Sequence, residues 1–249
     1  MKELLTCAMD IGEQMLVCGG EVHRVEDSIQ RMCLSMGAKR VDIFIITSSM
    51  VATVYTASGE ALTQTRRITG TGTNLEQLHR LNDLSRKICA KNMDAPQIRK
   101  ELEAIVKTNN YPFWIHCLAC AVIAGSFTLF FGGSIADALV SLCVGALVKL
   151  LSRLCERMVT NRVFDKFLCA FAASMLAFIA MRLSLIGSVD KVIIGNIMSL
   201  IPGIGLTNAL RDLFTGDHIA GLIRTIESGL IALVIAAGYF LSAILMGGV

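Results

Sequence analysis

The hydrophobic pattern divides this chain into two halves of different character. In residues 1–110, apolar positions recur at three- and four-residue helical steps or alternate along short segments, with charged residues between them. From Phe113 to Met246, long apolar runs follow one another, and charges are mostly confined to the short stretches that join them. The pattern predicts a cytoplasmic α+β domain over 1–110 and a helical transmembrane domain over 111–249.

The first half predicts four helices and a small antiparallel sheet. Three short runs rich in β-branched residues are joined by polar turns, as in consecutive paired strands. Thr73-Asn74-Leu75-Glu76 has capping-box spacing and Asp94 is a typical N-cap, so each is expected to open a helix. The predicted helices cover 2–18, 21–37, 74–91 and 95–107, and the predicted strands cover 41–47, 51–56 and 62–68.

Five apolar segments come close to the roughly 20 residues that cross a bilayer. The fourth is interrupted at Pro202-Gly203, because Pro202 cannot donate to the carbonyl of Met198 and clashes with it. Transporters use broken helices of this kind to present helix ends and loose carbonyls to substrates. A simple kink, tolerated by neighbouring helices, is the alternative. The five segments cover 113–131, 135–151, 167–186, 192–206 and 228–246.

The charges beside these segments orient the chain in the membrane. Ten Lys and Arg lie on one predicted side, against only Arg182 and Lys191 on the other. The positive-inside rule then places the N-terminal domain in the cytoplasm and the C-terminus outside, in a plasma membrane of the prokaryotic inner-membrane type. Acidic residues interrupt residues 1–20, so no signal peptide is predicted. The ten are Arg99, Lys100, Lys107, Lys149, Arg153, Arg157, Arg162, Lys166, Arg211 and Arg224.

Composition narrows the possible partners. A hydrophobic content of 54% and a mean hydropathy of +0.62 predict contact with a lipid bilayer. The net charge of +3 includes no basic run, so no nucleic acid is expected. His116, Cys117 and Cys120 lack further ligands at metal-binding spacing, and no metal or cofactor is predicted.

Small residues on two spans predict close packing against other helices. Five helices are few to enclose a polar path, so a second subunit or a homo-oligomer is expected. The small residues are Ala170, Ala173, Ala177, Ala180 and Ser184 in the third span, and Gly229, Ala232 and Ala236 in the fifth.

Polar residues around the interruption form the candidate substrate and ion pathway. Arg211 and Arg224 can neutralise a carboxylate, and the acidic residues can carry a proton or meet an ammonium group. Thr207 and Asn208 are expected to cap a short helix. The alternative is a positively charged loop in which Asp217 is a plain N-cap, which leaves Glu227 unexplained. The candidates are Asn196, Ser199, Pro202, Gly203, Thr207, Asn208, Arg211, Asp212, Asp217, Arg224 and Glu227.

Two features of the first half leave functional alternatives open. The charged cluster Glu21, His23, Arg24, Glu26 and Asp27 is either an acid–base site or a solvated helix face. The Gly-rich run 69–74 is either a phosphate loop or a capping turn, and no Walker-type Lys follows it. No nucleophile motif is present, so the sequence predicts no catalytic residue and no enzyme. A hydrolase-like membrane-anchored enzyme, or a regulatory or sensor subunit, remains the alternative.

Two stretches resemble the signatures of the threonine/serine exporter family. Gly19-Gly20-Glu21-Val22-His23-Arg24-Val25-Glu26-Asp27 is similar to the family's "GAExxRVED" motif. The run from Pro202 to Asp217 is similar to its "PGxxLTNAxRDLxxGD" motif, and Gly221 and Arg224 continue it. The resemblance extends from about residue 5 to residue 245.

The resemblance implies a secondary active exporter of threonine and serine, driven by a coupling ion that we expect to be the proton. One branch is split between two proteins and is implicated in efflux of C4 dicarboxylates such as succinate. Single-chain members have about ten spans in two five-span halves, so this chain resembles the larger, five-span subunit of the split branch. An odd number of spans gives the two halves opposite orientations, the inverted-repeat architecture of many transporters.

Overall fold

A computed structural model describes residues 1–91, 93–107, 111–158 and 161–247. The chain forms two compact units. The first comprises Met1–Asn109 together with Ile204–Ile226, and the second comprises Asn110–Gly203 together with Glu227–Val249. The change in sequence character near residue 110 lies where the main segment of the first unit ends and that of the second begins. Residues 204–226, assigned from the sequence to the transmembrane domain, group instead with the N-terminal domain.

The N-terminal part of the first unit has the α+β organisation that the sequence predicts. Its strands form one antiparallel sheet in the order β1-β2-β3, with Val41 opposite Val54 and Ala52 opposite Gln64. Alternate residues of β2 are buried, as expected for a sheet with one face on a core. The elements are α1 (Lys2–Val17), α2 (Val22–Ser35), β1 (Arg40–Ile46), β2 (Ser49–Tyr55), β3 (Ala61–Arg67), α3 (Leu75–Lys91) and α4 (Ala95–Val106).

The core of this unit lies between the helices and the buried face of the sheet. Met9 of α1, Ile29 of α2 and Met50 of β2 are fully buried within one apolar cluster. A Cβ atom on Gly12 would lie 2.5 Å from Ile29 Cδ1, so glycine permits the close approach of α1 and α2. Ala220 also belongs to this cluster, although every other buried member lies between Leu5 and Leu102 in the sequence.

The helix caps agree with the sequence in one case and differ in another. Asp94 accepts a hydrogen bond from the Gln97 backbone N–H at 2.9 Å, which confirms it as the N-cap of α4. The predicted capping box on Thr73 is wrong by one residue. Asn74 caps α3, since its Oδ1 accepts from the Gln77 N–H at 3.1 Å and its Nδ2 donates to Gln77 Oε1 at 3.2 Å.

Six helices follow among the described residues of the second half of the chain. Four of them, among the residues described, are long and apolar enough to cross a membrane: Phe113–Phe130, Ile135–Met158, Val163–Arg182 and His218–Met246. They correspond to the first, second, third and fifth predicted spans. The helices are α5 (Phe113–Phe130), α6 (Ile135–Met158), α7 (Arg162–Arg182), α8 (Val189–Ile197), α9 (Gly203–Thr215) and α10 (His218–Met246).

The predicted fourth span, 192–206, is divided between two shorter helices. α8 ends at Ile197 and α9 begins at Gly203, with Pro202 between them. α8 has 9 residues, which is half or less of the roughly 20 that a helical span needs. A fourth span over 192–206, and with it a total of five spans, therefore stays a prediction.

Small residues set the helix packing in the second unit. Ala170, Ala173 and Ala177 of α7 are fully buried, as the predicted stripe requires. A Cβ atom on Gly238 of α10 would lie 2.7 Å from the Phe167 carbonyl oxygen, so α10 approaches α7 closely there. The small residues of the last span are exposed in the single chain, so their packing against another helix stays a prediction. These are Gly229, Ala232 and Ala236.

Asp137 joins two connections of the second unit, a role that sequence reasoning missed. Its side chain is 1% exposed. One carboxylate oxygen accepts from the Ser134 backbone N–H at 2.8 Å, at the start of α6. The other accepts from the Gly187 and Ser188 N–H groups at 2.7 and 3.3 Å, in the connection between α7 and α8. These three bonds satisfy a carboxylate that would otherwise be costly to bury.

Candidate functional site

The two signature stretches come together within the first unit. Asn208 Nδ2 donates to the Gly19 carbonyl oxygen at 3.0 Å, across a separation of 189 positions. Arg224 Nη2 donates to the Gly20 carbonyl oxygen at 3.0 Å, across 204 positions. We call this meeting of Gly19–Asp27 with Ile204–Arg224 the signature junction.

Two glycines shape the N-terminal side of the junction. Gly19 follows α1 at φ +91°, in the left-handed region that favours glycine. The Gly20 backbone N–H donates to the Met15 carbonyl oxygen at 2.8 Å and so caps the C-terminal end of α1. A Cβ atom at either position would meet a backbone carbonyl oxygen at 2.8 Å. The chain therefore turns sharply here, and the Gly19 and Gly20 carbonyls accept from α9 and α10.

A buried ion pair lies at the C-terminal side of the junction. Arg224 Nη1 is 3.0 Å from Asp212 Oδ2, and the two side chains are 11% and 1% exposed. Burial raises the pKa of Asp212 above its ordinary value, while Arg224 and the Val22 backbone N–H act in the opposite direction. Arg224 therefore neutralises Asp212 and holds the α1–α2 turn with the same guanidinium group.

A second ion pair joins the two signatures at the surface. Arg211 Nη1 donates to Glu21 Oε1. The Glu21 side chain is 15% exposed and that of Arg211 is 54% exposed, so solvent screens this pair much more than the Arg224–Asp212 pair. The contact is therefore the more easily broken of the two.

Glu26 is a second carboxyl group of the junction with a raised pKa. Its Oε1 accepts from the Ile45 backbone N–H at 3.0 Å. Burial raises the pKa of Glu26, the nearby Asp217 raises it further, and the Ile45 N–H and His23 partly oppose the shift. Asp217 Oδ2 is buried and accepts no hydrogen bond from the described residues. The junction therefore contains carboxyl groups that take up a proton more readily than ordinary ones.

The structure separates the charged cluster of α2 into contacting and solvated residues. Glu21 and Glu26 make the contacts above. Asp27 pairs with Arg31 of its own helix at 2.8 Å, and both side chains are largely exposed, as on a solvated helix face. His23 is exposed, as is Glu227 in α10.

One predicted role in the second signature is wrong. Thr207 and Asn208 do not cap a helix, because both lie inside α9, which begins at Gly203. Asn208 contacts Gly19 instead. Asp217 immediately precedes α10, as expected, and Gly216 at φ +100° ends α9.

The remaining predicted pathway residues precede the junction in the sequence, in the second unit. Asn196 is 1% exposed and donates through Nδ2 to Ser141 Oγ at 3.2 Å and to the Val192 carbonyl at 2.9 Å. Ser141 Oγ lies 2.6 Å from Thr128 Oγ1. Ser199 Oγ donates to the Asn196 carbonyl at 3.0 Å. Asn196 Oδ1 has no hydrogen-bond partner within the described part of the chain.

Sequence reasoning missed Thr128 and Ser141 because each is a single hydroxyl within an apolar span. Close packing is what brings them to Asn196. A Cβ atom on Gly195 would lie 2.2 Å from Thr128 Oγ1 and 2.8 Å from the Ala124 carbonyl, so only glycine allows α8 to approach α5 this closely. A glycine beside a polar residue in α8 is the one sequence signal of this contact.

Comparison with known proteins decides the family. A family model described as ThrE, "Putative threonine/serine exporter", matches residues 6–246. This chain belongs to the threonine/serine exporter family. The membrane-length helices agree with membership in that exporter family.

Two curated relatives carry a more specific name, "Probable succinate transporter subunit YjjP". The protein of Klebsiella aerogenes is 23% identical over 94% of this chain and 90% of its own length. That of Escherichia coli strain K12 is 22% identical over 94% of this chain and 91% of its own length. No solved structure gives a significant match. The family and both relatives are named as transporters, so this threonine/serine exporter family member is a transporter and not an enzyme.

Proposed function

We propose that this chain is one subunit of a secondary active exporter of small amino acids or C4 dicarboxylates. A second five-span protein would complete the transport pathway, with the two halves in opposite orientations. The family model supports amino-acid export, and the names of the relatives support a subunit role and succinate. The coupling ion in this proposal is the proton, and the N-terminal domain is cytoplasmic.

The observation that carries the proposal is the signature junction. Arg224 holds Asp212 and the Gly20 carbonyl in the first unit, and it lies in α10. The same helix continues without interruption to Met246 over a length that can cross a membrane. A change in the contacts of Arg224 would therefore act directly on a membrane-length helix.

The carboxyl groups of the junction support proton coupling. Burial raises the pKa of both Asp212 and Glu26, so each accepts a proton more easily than a solvated carboxyl group. Protonation of Asp212 would remove the charge that Arg224 neutralises. The ion pair would weaken, and the contact of α10 with the α1–α2 turn would loosen.

In the second unit, the proposed pathway includes Asn196, Ser199, Pro202 and Gly203. An amide oxygen that is buried without a donor costs about 1–3 kcal/mol. A water, an ammonium group or a passing hydroxyl would satisfy Asn196 Oδ1, which makes this position suited to a transient polar contact. In this proposal the interrupted segment 192–206 is the remaining span.

Export measured in cells or proteoliposomes that contain both subunits tests the proposal. Arg211→Gln and Asp212→Asn are expected to reduce efflux of threonine, serine or succinate at least tenfold while both proteins stay assembled in the membrane. Arg31→Gln, which breaks an exposed ion pair within α2 and no contact between the two signatures, is the matched control and should leave efflux unchanged.

Three outcomes would contradict parts of this proposal. Unchanged efflux in both junction variants would remove the transport role of Arg211 and Asp212. Efflux of full rate from this chain without a second five-span protein would remove the split-subunit assignment. Efflux that is independent of a proton gradient would contradict the proton as the coupling ion.

A regulatory role of the cytoplasmic domain is the second candidate, favoured because the signature junction lies in the same compact unit as that domain. In that case, variants of the junction would change the dependence of efflux on cytoplasmic substrate and keep its maximal rate. A loss of maximal rate would favour direct participation in transport.

A further inference from the structure

A small cavity lies at the signature junction, within the first unit. Its volume is about 220 Å³. Gly19, Gly20, Glu21 and Arg24 line it from the first signature, Asn208 lines it from the second, and Asn82 lines it from α3. Residues of both signatures therefore border one cavity, and none of its lining residues belongs to the four membrane-length helices.

The volume suits a ligand of very few atoms. A water molecule occupies about 30 Å³ in the liquid, so 220 Å³ corresponds to roughly seven water-sized groups. Pockets for drug-sized ligands usually begin near 300 Å³, which is larger than this cavity. Metabolites with about seven or eight non-hydrogen atoms are the size class that fits.

The lining combines one group of each charge. The carbonyl of Arg24 accepts from Ser28 Oγ, but its guanidinium has no hydrogen-bond or ion-pair partner among the residues described here, so it is available to a carboxylate. Glu21, from the same signature as Arg24, supplies a negative charge that Arg211 of the second signature partly neutralises. A guanidinium binds a carboxylate in a bidentate geometry, and a carboxylate attracts an ammonium group.

Two amide oxygens add acceptors that need a donor. Asn208 uses its Nδ2 group on the Gly19 carbonyl, and Asn82 uses its Nδ2 group on the Leu78 carbonyl. Neither Oδ1 atom accepts a hydrogen bond within the described ranges. A ligand with several N–H or O–H donors therefore matches this lining better than one with acceptors alone.

We propose that this cavity binds a small α-amino acid as its zwitterion. The ligand's carboxylate lies on Arg24, and its ammonium group lies towards Glu21 and the amide oxygens of Asn82 and Asn208. A hydroxyl-bearing side chain supplies one further donor. The site gives the cytoplasmic domain a ligand of its own, distinct from the polar positions of the second unit.

The same chemistry disfavours a C4 dicarboxylate at this place. A dicarboxylate has no donor for the two amide oxygens at neutral pH, and its second charge would face Glu21 without a cation of its own. Arg211 is already paired with Glu21. The lining thus favours amino acids over dicarboxylates, a choice that the family name and the relatives' names leave open.

The biological meaning of this ligand class rests on the proposed export function, whereas binding itself is a property of the chain.

Equilibrium binding to the full chain in lipid nanodiscs tests the site. Radiolabelled L-serine and L-threonine are expected to bind and to compete with each other, and unlabelled succinate is expected to compete at least tenfold more weakly. Lactate lacks the ammonium group and ethanolamine lacks the carboxylate, so neither should compete. These comparisons use the unmodified protein and do not depend on the folding of a variant.

Variants then locate the bound ligand. Arg24→Gln should weaken binding of L-serine at least tenfold, and Asn82→Leu should weaken it several-fold. Arg31→Gln, a change of the same kind on the exposed face of the same helix, should leave binding unchanged. Thermal unfolding without ligand shows whether each variant is folded.

The outcomes separate this inference from the proposed function. Undetectable amino-acid binding, tighter competition by succinate, or unchanged binding in Arg24→Gln would overturn the cavity assignment, even if efflux is normal. Binding that follows the expected order in a chain that supports no efflux with its partner would sustain the cavity and overturn the exporter proposal.

Discussion

Arg224 is the residue on which the signature junction most depends. Its guanidinium contacts both Asp212 and the Gly20 carbonyl, and Asp212 is 1% exposed. Removing one partner of a buried ion pair leaves an uncompensated charge, whereas replacing both partners removes the charge and its cost together. Glu21 and Arg211 lie nearer to solvent, so their pairing contributes less to stability.

Arg224→Gln is therefore expected to destabilise the first unit by about 3–5 kcal/mol, because Asp212 stays buried without its cation. Adding Asp212→Asn should restore most of this loss. Arg31→Gln should cost under about 1 kcal/mol, since its pair is exposed. Chemical denaturation of the three proteins measures the differences. Equal losses in the single and double variants would contradict a coupled pair.

Glu26 predicts a pH dependence of stability. Burial and Asp217 raise the pKa of Glu26 in the folded state, so the folded protein holds the proton more tightly than the unfolded chain. This contribution is fully present below the ordinary pKa of Glu and is lost as the pH rises through the raised value. Glu26→Gln keeps an acceptor for the Ile45 N–H and removes the titrating group.

The variant should therefore show a flatter pH profile of unfolding free energy than the wild type between weakly acidic and neutral pH. It should also be more stable than the wild type at neutral pH. The exposed Glu60→Gln change is the control and should leave the profile unchanged. A Glu26→Gln profile parallel to that of the wild type would contradict the raised pKa.

At the scale of the element, α10 has two faces of small residues with different roles. Gly238 faces the backbone of α7, where a Cβ atom would lie 2.7 Å from the Phe167 carbonyl oxygen and 3.0 Å from the Phe171 nitrogen. Gly229 has no atom within 4 Å of such a Cβ position. Helical periodicity shows both faces, but only packing shows which of them contacts a neighbour in the same chain.

Gly238→Ala should thus destabilise the second unit by about 1–3 kcal/mol, because backbone atoms of α7 must move. Gly229→Ala is the matched control in the same helix. It should be neutral or stabilising by up to about 1 kcal/mol, since alanine favours helix more than glycine. Unfolding in mixed detergent micelles gives the comparison, and an equal effect of both changes would contradict the packing.

At the scale of the whole molecule, the compact units cross the linear order of the chain. Ile204–Ile226 groups with the N-terminal domain, and Ala220 is buried in that domain's core with 2% exposure. An N-terminal domain without this segment exposes the apolar surface that Ala220 covers. It also leaves the Gly19 and Gly20 carbonyls without their side-chain donors.

A fragment of residues 1–107 should consequently gain stability when a synthetic peptide of residues 203–226 is added in excess. We expect a rise in its melting temperature of several degrees, since a ligand that binds only the folded state stabilises it. The same peptide with Arg224→Ala should raise the melting temperature much less. If both peptides act equally, the junction contacts do not hold the segment.

The sequence alone was sufficient for those features that arise from local periodicity. It predicted α1 to α4, the three strands and their antiparallel order, and, among five expected spans, the four that are helices of membrane length, since these depend on the spacing of apolar residues along each segment. It placed the cap of α3 one residue early and expected a cap inside α9. Such boundaries are decided by competition among neighbouring polar side chains.

The tertiary structure alone showed which distant groups meet. No periodicity connects Gly19 with Asn208, Gly20 with Arg224, or Asn196 with Thr128 and Ser141. These contacts form because packing brings their elements within hydrogen-bond distance, and a buried polar group must find a partner there. The sequence marked most of the junction's residues as two separate motifs; the fold made them one site.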